Sequence, residues 1–394
     1  MIFRFNRYSV GWICAVVIAV SVIAAHDAPA AGLYVADASG NRTVRFAAPV
    51  KKNGAAESLV LGQQDFTSGG GNGTQNTMNE PSGLVFQTSS NILWVADFAN
   101  SRVLGFMHGG GGFSNGQNAD LVLGQPDFSN PNPVCHITQS GLCFPADVAS
   151  DSAGNLWIAD EGSSRVLEFK PPFSSGENAS VVIGQTDFTS TPMTCDSPTN
   201  SNLCGPWSLT FDPSGNLWVL DGANNRILEY QPPFTNGESA SIVLGQPDFT
   251  HSLCGSTQSG ICPDSGGQVR SDQHGNIWES DDHDNRVLEF PLGSGFVNGK
   301  NASVVIGQPD FTSHSSATTK NGLSFPWGIT FDSKGNLYVS EEANCRVLMF
   351  KQKKKKFHNH QNAFRVLGQS NFTSGSCNVD QTSLQNPRGI GFGP

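Results

Sequence analysis

A six-fold internal repeat is the feature of this sequence that most restricts its fold. The pentapeptide Gly-Gln-x-x-Phe occurs six times, at residues 62–66, 124–128, 184–188, 245–249, 307–311 and 368–372. An arginine precedes each copy, and these arginines lie 60–63 residues apart, at Arg42, Arg102, Arg165, Arg226, Arg286 and Arg346. A repeat of this length, built from short apolar segments, predicts a stacked or closed array of small β-sheets.

Each repeat divides into four strand-like segments. In the fourth repeat these are residues 207–212, 216–221, 226–230 and 240–246, each rich in β-branched and aromatic side chains. Glycine, proline and asparagine fill the gaps between them, and no sustained helical periodicity appears after residue 30. Six four-stranded antiparallel units predict an all-β fold, a six-bladed β-propeller.

The two ends of the chain predict how the ring closes. Residues 32–37 correspond to the second strand of a repeat, and the missing first strand occurs at 386–392. The C-terminal strand would then join the N-terminal blade and remove the free edges. We therefore expect one propeller domain over residues 31–394.

The segments at 94–106, 157–169 and 218–230 share a strand-Asp-loop-Arg-strand pattern, and they resemble the NHL-repeat propellers. The resemblance extends over residues 32–394, although the repeats here are longer by the Gly-Gln-x-x-Phe segment. It implies the propeller architecture. Function is left open, because the family includes lyases, lactonase-like relatives and plain binding modules.

The N-terminus has the pattern of a signal peptide. Arg4 and Arg7 precede an apolar run at 10–25, and a small-residue cleavage site follows at 28–30. We expect residues 1–30 to be removed and the mature chain, without a membrane span, to be secreted or periplasmic. An uncleaved membrane anchor is the alternative, for which the apolar run is short.

The net charge of −10 argues against nucleic acid and anionic membranes as partners. A lysine-rich run at 351–356 is the local exception, and its position between two strands predicts an exposed hairpin tip rather than a binding site. We expect a monomer.

Eight cysteines follow residue 30, an even number that an exported protein can hold oxidised. Six occupy the same place in three consecutive repeats, which predicts the pairs Cys135–Cys143, Cys195–Cys204 and Cys254–Cys262. Cys345 and Cys377 lie in two loops of the last repeat that should share one face, so we expect them to pair. Zinc binding is the alternative, but no Cys-x-x-Cys spacing occurs.

Function is expected where the repeats differ, at one mouth of the central channel. The residues that follow the proline of each innermost strand are Ser82, Ala146, Trp207, Asp264, Trp327 and Arg388. The last four, two tryptophans, an acid and a base, form the predicted ligand site. The tryptophans offer flat faces to a sugar, an aromatic group or an aliphatic chain, and Arg388 could hold a carboxylate. Alternatively, the tryptophans pack under the long loops.

A second asymmetry gathers carboxylates on the loops of the last two blades. Asp282, Asp284, Glu341 and Glu342 are a candidate Ca²⁺ or other divalent-cation site, because hard cations take oxygen ligands. A solvated acidic rim is the alternative, so no cofactor is certain.

The Asp–Arg pair that recurs in every blade favours a structural role over catalysis, and no catalytic residue is assigned. The sequence therefore predicts a non-catalytic module that binds a small molecule, carbohydrate or peptide, or another protein, at the channel mouth. The main alternative is a metal-dependent lyase or lactone hydrolase, in which a cation polarises a carbonyl and a carboxylate acts as base. A purely structural envelope protein is a third possibility.

Overall fold

The fold is all-β, as the repeat predicts. The computed structural model describes residues 32–128, 134–190, 195–263 and 266–394. These contain 24 strands and three short 3₁₀ helices (Phe98–Asn100, Glu161–Ser163 and Gly222–Asn224). The first seven strands are β1 (Gly32–Asp37), β2 (Arg42–Ala47), β3 (Leu59–Leu61), β4 (Pro81–Gln87), β5 (Ile92–Asp97), β6 (Arg102–Met107) and β7 (Leu121–Leu123). The next eight are β8 (Pro145–Ser150), β9 (Leu156–Asp160), β10 (Arg165–Phe169), β11 (Val181–Ile183), β12 (Pro206–Phe211), β13 (Leu217–Asp221), β14 (Arg226–Tyr230) and β15 (Ile242–Leu244). The last nine are β16 (Val269–Ser271), β17 (Ile277–Asp281), β18 (Arg286–Phe290), β19 (Val304–Ile306), β20 (Pro326–Phe331), β21 (Leu337–Glu341), β22 (Arg346–Phe350), β23 (Arg365–Leu367) and β24 (Pro387–Gly393).

These strands form six four-stranded antiparallel sheets, the blades of a propeller. Blade 1 has the order β24-β1-β2-β3, and blades 2 to 6 take the following strands four at a time. The first strand of each blade is innermost and contacts its neighbours around the channel. In blade 1 that strand is C-terminal, with Leu33 opposite Phe392 and Val35 opposite Ile390. Both the six-bladed architecture and the closure of the ring are thus confirmed.

Apolar side chains fill the spaces between neighbouring blades. The tryptophan of the second strand is fully buried in four blades, at Trp94, Trp157, Trp218 and Trp278. Each one packs edge-on against a phenylalanine; the centroids of Trp157 and Phe234 are 4.9 Å apart. Edge-to-face packing of this kind adds to the free energy gained by burying the rings.

The acid–arginine pair of each blade is structural, as predicted. In blade 4, Arg226 Nε donates to Asp221 Oδ2 at 2.7 Å, and both side chains are fully buried. The same guanidinium donates to the carbonyls of Phe249 and Asn202. The arginine therefore connects its own hairpin to the long segment after the fourth strand and to the segment before the first.

The glutamine of Gly-Gln-x-x-Phe also satisfies backbone groups. Gln246 Nε2 donates to the carbonyl of Asn225, which ends the loop between the second and third strands, and to that of Leu253. Gln63, Gln308 and Gln369 repeat the pattern in other blades. The pentapeptide is therefore a connector that fixes an irregular segment.

The structure contains four disulfides, Cys135–Cys143, Cys195–Cys204, Cys254–Cys262 and Cys345–Cys377. The first three are the pairs expected from the repeat, and the fourth is the pair expected from two loops on one face of the last blade. Disulfides persist in oxidising compartments, so they are consistent with an extracytoplasmic protein.

The sequence predicts a signal peptide at the N-terminus and an exposed, lysine-rich hairpin tip. The predicted signal peptide at 1–30 lies outside the described residues. In the described part of the chain, no helix has the length and apolar character needed to cross a bilayer. Lys353 and Lys356 pair across a tight, exposed hairpin tip between β22 and β23, as the sequence predicts.

Candidate functional site

Two residues of the predicted mouth site, Trp327 and Arg388, are in direct contact. The guanidinium carbon of Arg388 lies 4.7 Å from the ring centroid of Trp327, and 5.9 Å from that of Phe98 in the neighbouring blade 2. Trp327 is only 9% exposed. Its ring therefore supports Arg388 rather than presenting a free face to a ligand.

The charge of Arg388 is already balanced by protein carboxylates. Its Nε lies 3.3 Å from Glu342 Oε1, and its Nη1 lies 3.6 Å from Glu80 Oε2. Glu80 is half exposed, whereas Glu342 is mostly covered. Because two acids flank one base, this arrangement disfavours the capture of a ligand carboxylate by Arg388.

Trp207 is half-buried at the same mouth and adjoins a third carboxylate, that of Glu161. Burial raises the pKa of Glu161, while hydrogen bonding from Trp207 and the positive charge of Arg388 act in the opposite direction. The ring of Trp207 packs over Gly222, where an added Cβ would lie 2.4 Å from it. Among the described residues, three carboxylates and one guanidinium therefore surround the mouth.

Two exposed aromatic side chains at this mouth escaped the sequence reasoning. Phe144 and Phe325 directly precede the prolines of β8 and β20, and they are 41% and 40% exposed. Phe144 contacts Phe98, with 5.3 Å between ring centroids. The residue before the proline varies from blade to blade, so comparing that position as well would have found both.

Both phenylalanines have left-handed backbones, with φ of 52° at Phe144 and 48° at Phe325. Gly205 holds the same position in blade 4 with φ of 57°. A bulky residue in this region costs about 1–2 kcal/mol that glycine does not. Phe144 and Phe325 thus expose apolar rings in a conformation that is costly for them.

Asp264 is the fourth residue predicted for the mouth, and it lies outside the described residues. The register of blade 5 nevertheless shows which residue matches Trp207. Val269 pairs with Glu279 as Leu209 pairs with Val219, so Gly267 holds the place of Trp207. Between the second cysteine of the disulfide and this position, blade 5 therefore has two more residues than blade 4.

Gly266 of blade 5 lies directly against Trp327. A Cβ at Gly266 would lie 2.1 Å from the indole ring of Trp327. The platform formed by Trp327 and Arg388 therefore depends on a glycine of the neighbouring blade.

The predicted metal ligands are fully or largely buried, and arginines engage three of them. Asp284 lies 3.0 Å from an Nη of Arg286, Glu341 pairs with Arg346, and Glu342 pairs with Arg388. Asp282 is fully buried and accepts from the backbone N–H of His283. The cation site remains a prediction.

Three metal-ligating atoms of the described residues come within 4.8 Å of one another at Cys254, Cys262 and His283. The two cysteines form a disulfide, so they have no thiolates to offer a metal ion.

Next to these acids lies a carboxylate that the sequence reasoning missed. Glu279 of β17 is fully buried, and neither of its oxygens has a hydrogen-bond partner among the described residues. Burial raises the pKa of Glu279 well above its ordinary value, and Asp281, Asp282 and Asp284 raise it further, against the charge of Arg286. This carboxyl is therefore held towards its neutral form.

Below the mouth, polar side chains cross the channel. Asp147, Ser208 and Gln268 face the axis from the innermost strands of blades 3, 4 and 5, and Ser208 Oγ donates to Asp147 Oδ2. Gln268 Nε2 reaches Asp147 Oδ1 at 3.4 Å, and its Oε1 accepts from the N–H of Ile329 in blade 6. We call these three residues the channel plug. The other three blades have glycine at the equivalent positions. This difference between blades lies one residue after the positions that were compared in the sequence.

Comparison with known proteins supports the architecture. Residues 142–169, 203–230 and 323–350 match the model of the NHL repeat. None of the curated proteins matches the chain.

Several solved structures are similar in fold. A streptogramin B lyase aligns with 11% identity and a TM-score of 0.39, over 68% of this chain and 64% of that one. A chain of a nidogen/laminin complex aligns with 14% identity and a TM-score of 0.47, over 85% of this chain and 97% of that one. An auxiliary nutrient binding protein from Bacteroides ovatus aligns with 12% identity and a TM-score of 0.46, over 79% and 63%. The chain thus spans less than two thirds of the lyase, and likenesses this low support no statement about activity.

Proposed function

Because this chain is an NHL-repeat β-propeller of six blades, we propose that it is a non-catalytic binding module. Its ligand lies at the channel mouth, against Trp207, Phe144, Phe325 and the platform formed by Trp327 and Arg388. The observation that carries this proposal is the pair of exposed phenylalanines in left-handed conformations. The left-handed backbone recurs at this position in other blades, so it belongs to the repeat, and the rings themselves carry the argument because exposed aromatic rings are typical of binding surfaces.

The charges at the mouth specify the ligand further. In the part of the mouth that the structure describes, Glu80, Glu161 and Glu342 outnumber Arg388, which gives an excess of carboxylates. Cations bind favourably over aromatic faces, and carboxylates strengthen that preference. The proposed ligand is therefore a peptide segment, or another organic molecule, that has aromatic or basic groups and no net negative charge.

The proposal includes export of the protein to an oxidising compartment. The four disulfides support this location, and so does the pattern of residues 1–30. The ligand would then be met outside the cytoplasm.

The test is binding to an array of short peptides that differ in charge and aromatic content. We expect basic and aromatic peptides to be retained and acidic ones to be excluded. Replacing both phenylalanines (Phe144→Gly and Phe325→Gly) should lower the affinity by at least tenfold, because aromatic residues dominate binding energies. Glycine suits the left-handed backbone, as at Gly205, so the ring remains folded.

The matched control removes exposed apolar side chains elsewhere. Leu253 and Val297 are 75% and 62% exposed and lie outside the proposed contact surface, so Leu253→Ser with Val297→Ser should leave binding unchanged. Equal retention by the double glycine variant and the wild-type protein would refute the proposal. A preference for acidic peptides would refute the deduced charge.

A further inference from the structure

A chamber occupies the other end of the channel, on the far side of the channel plug from the mouth. Its volume is about 220 Å³, enough for about seven water molecules at 30 Å³ each. The innermost strands line it two residues beyond the plug, where the channel-facing side chains are Val85, Ala149, Thr210, Arg270, Thr330 and, without a side chain, Gly391. We call this space the lower chamber.

Among the described residues that line the lower chamber, Arg270 is the one with a charged side chain. Its Nη1 donates to Asp147 Oδ2 at 2.8 Å, and its Nη2 to Asp147 Oδ1 at 3.2 Å. Nη1 also contacts Ser208 Oγ and two backbone carbonyls. The terminal edge of the guanidinium is therefore fully used by the plug and the adjacent backbone.

The side edge of the same guanidinium remains available. Nε donates to no acceptor of the described residues, and Nη2 has a second hydrogen beyond the one directed at Asp147. The side chain keeps 14% exposure although Asp147 is fully buried. An arginine edge with two parallel N–H groups matches the two oxygens of a carboxylate.

The walls of the lower chamber suit an apolar group attached to a carboxylate bound at Arg270. Phe86, Phe211 and Phe392 contribute apolar surface around its sides. Thr330 of the neighbouring blade is half-buried and also lines the chamber, so its hydroxyl is a candidate donor to an oxygen bound there. The low polarity of these surroundings strengthens both the hydrogen bonds to Arg270 and the repulsion from Asp147, so binding depends on the planar fit of a carboxylate to the two free N–H groups.

We propose that the lower chamber is a second binding site, which takes a small monocarboxylic acid with a short apolar body. The carboxylate binds the Nε–Nη2 edge of Arg270, and the apolar body packs against Val85 and the phenylalanines. The site is independent of the channel mouth, since the plug separates the two. Its acidic ligand is also opposite in charge to that of the mouth.

The test is isothermal titration of the full chain with benzoate and with benzamide, its uncharged analogue. We expect benzoate to bind with one-to-one stoichiometry and benzamide to bind at least tenfold more weakly. Arg270→Lys keeps a positive charge beside Asp147 but removes the planar edge, so benzoate affinity should fall at least tenfold. Val85→Phe fills the chamber without touching the ion pair and should have the same effect.

The control is Lys334→Gln, which removes an exposed positive charge from the turn after β20, on the same face of the ring. Benzoate affinity should be unchanged in this variant. The proposal is overturned if benzoate does not bind, if benzamide binds equally well, or if Val85→Phe binds benzoate as the wild-type protein does.

Discussion

Arg270 of blade 5 binds Asp147 of blade 3 across the central channel, with 2.8 Å between Nη1 and Oδ2. Asp147 is fully buried, and 123 residues separate the two in sequence. Other ion pairs of the described residues join groups within one blade or in neighbouring blades, whereas this one joins two blades that are not neighbours. It closes the channel and separates the mouth from the lower chamber.

Breaking this ion pair should destabilise the ring. Ser208 and Thr210 hold the equivalent positions of blade 4, so Asp147→Ser and Arg270→Thr are natural replacements. Each single variant should lose about 3–5 kcal/mol of unfolding free energy, because one buried charge is left without its partner. Urea denaturation of both single variants and the double variant measures this loss. The double variant should recover at least half of it, and strictly additive losses would contradict the coupling.

Glu279 is expected to destabilise the folded ring above mildly acidic pH. Its pKa is raised by burial and by the neighbouring acids. A carboxyl with a raised folded-state pKa stabilises fully below its unfolded-state pKa of about 4.3 and loses that stability as the pH rises towards the folded-state value. The free energy of unfolding should therefore fall as the pH rises through this range.

Valine or isoleucine replaces Glu279 in the other five blades, at Val35, Val95, Ile158, Val219 and Val339. Glu279→Val should therefore raise the unfolding free energy by about 2 kcal/mol near neutral pH, since it removes an unsatisfied buried polar group. The gain should be larger at pH 8 than at pH 5 in urea denaturation. Asp196→Asn, at an exposed carboxyl, is the control and should give no such difference. A gain independent of pH would show that packing alone is responsible.

Divalent cations should have little effect on thermal unfolding. A cation at about 100 times its Kd would add about 2.7 kcal/mol to stability. We expect no such shift with Ca²⁺, and no loss with EDTA, because the carboxylates of Asp284, Glu341 and Glu342 are engaged by arginines. Differential scanning calorimetry of the oxidised protein measures both. A rise with Ca²⁺ that disappears in Glu279→Val would instead assign a cation site to blade 5.

The disulfide of the last blade should stabilise the protein more than the other three. Cys345–Cys377 closes a loop of 32 residues, against 8 or 9 for the others. Loop-closure entropy predicts a loss of about 4 kcal/mol without it, and about 2.5 kcal/mol without a short one. Paired serine replacements followed by urea denaturation compare them. Equal losses for Cys345–Cys377 and Cys135–Cys143 would contradict the entropic account.

The strands, the ring closure and three of the four cysteine pairs were predictable because each depends on the repeat. The alternation of residue types over a short segment identifies a strand. Because the same pattern recurs in six repeats, a strand that is ambiguous in one repeat can be assigned from the others. The insertion in blade 5 was not predictable in this way. In sequence Asp264 follows a proline as Trp207 does, but the pairing of Val269 with Glu279 gives that place to Gly267. Only the hydrogen-bond register reveals that Gly267, and not Asp264, matches Trp207.

The sequence predicts which residue types lie near the mouth, but it does not predict the surroundings of their side chains. Arg388 follows the expected proline, yet its partners Glu80 and Glu342 come from blades 2 and 6. Trp327 is covered by Arg388 on one side and lies against Gly266 on another. Contacts between distant segments determine which of these groups a ligand can reach, and no local pattern encodes those contacts.

The platform at the mouth should be sensitive to a single methyl group. Gly266→Ala would place a Cβ 2.1 Å from the ring of Trp327, so the indole must move away from its position beneath Arg388. We expect a loss of about 1–3 kcal/mol of unfolding free energy from overpacking, and a changed near-ultraviolet circular dichroism spectrum from the displaced ring. Gly70→Ala is the matched control, because a Cβ there meets nothing within 4 Å. If the two variants behave alike, Trp327 is not held by Gly266, and the mouth is more adaptable than the contacts of Arg388 indicate.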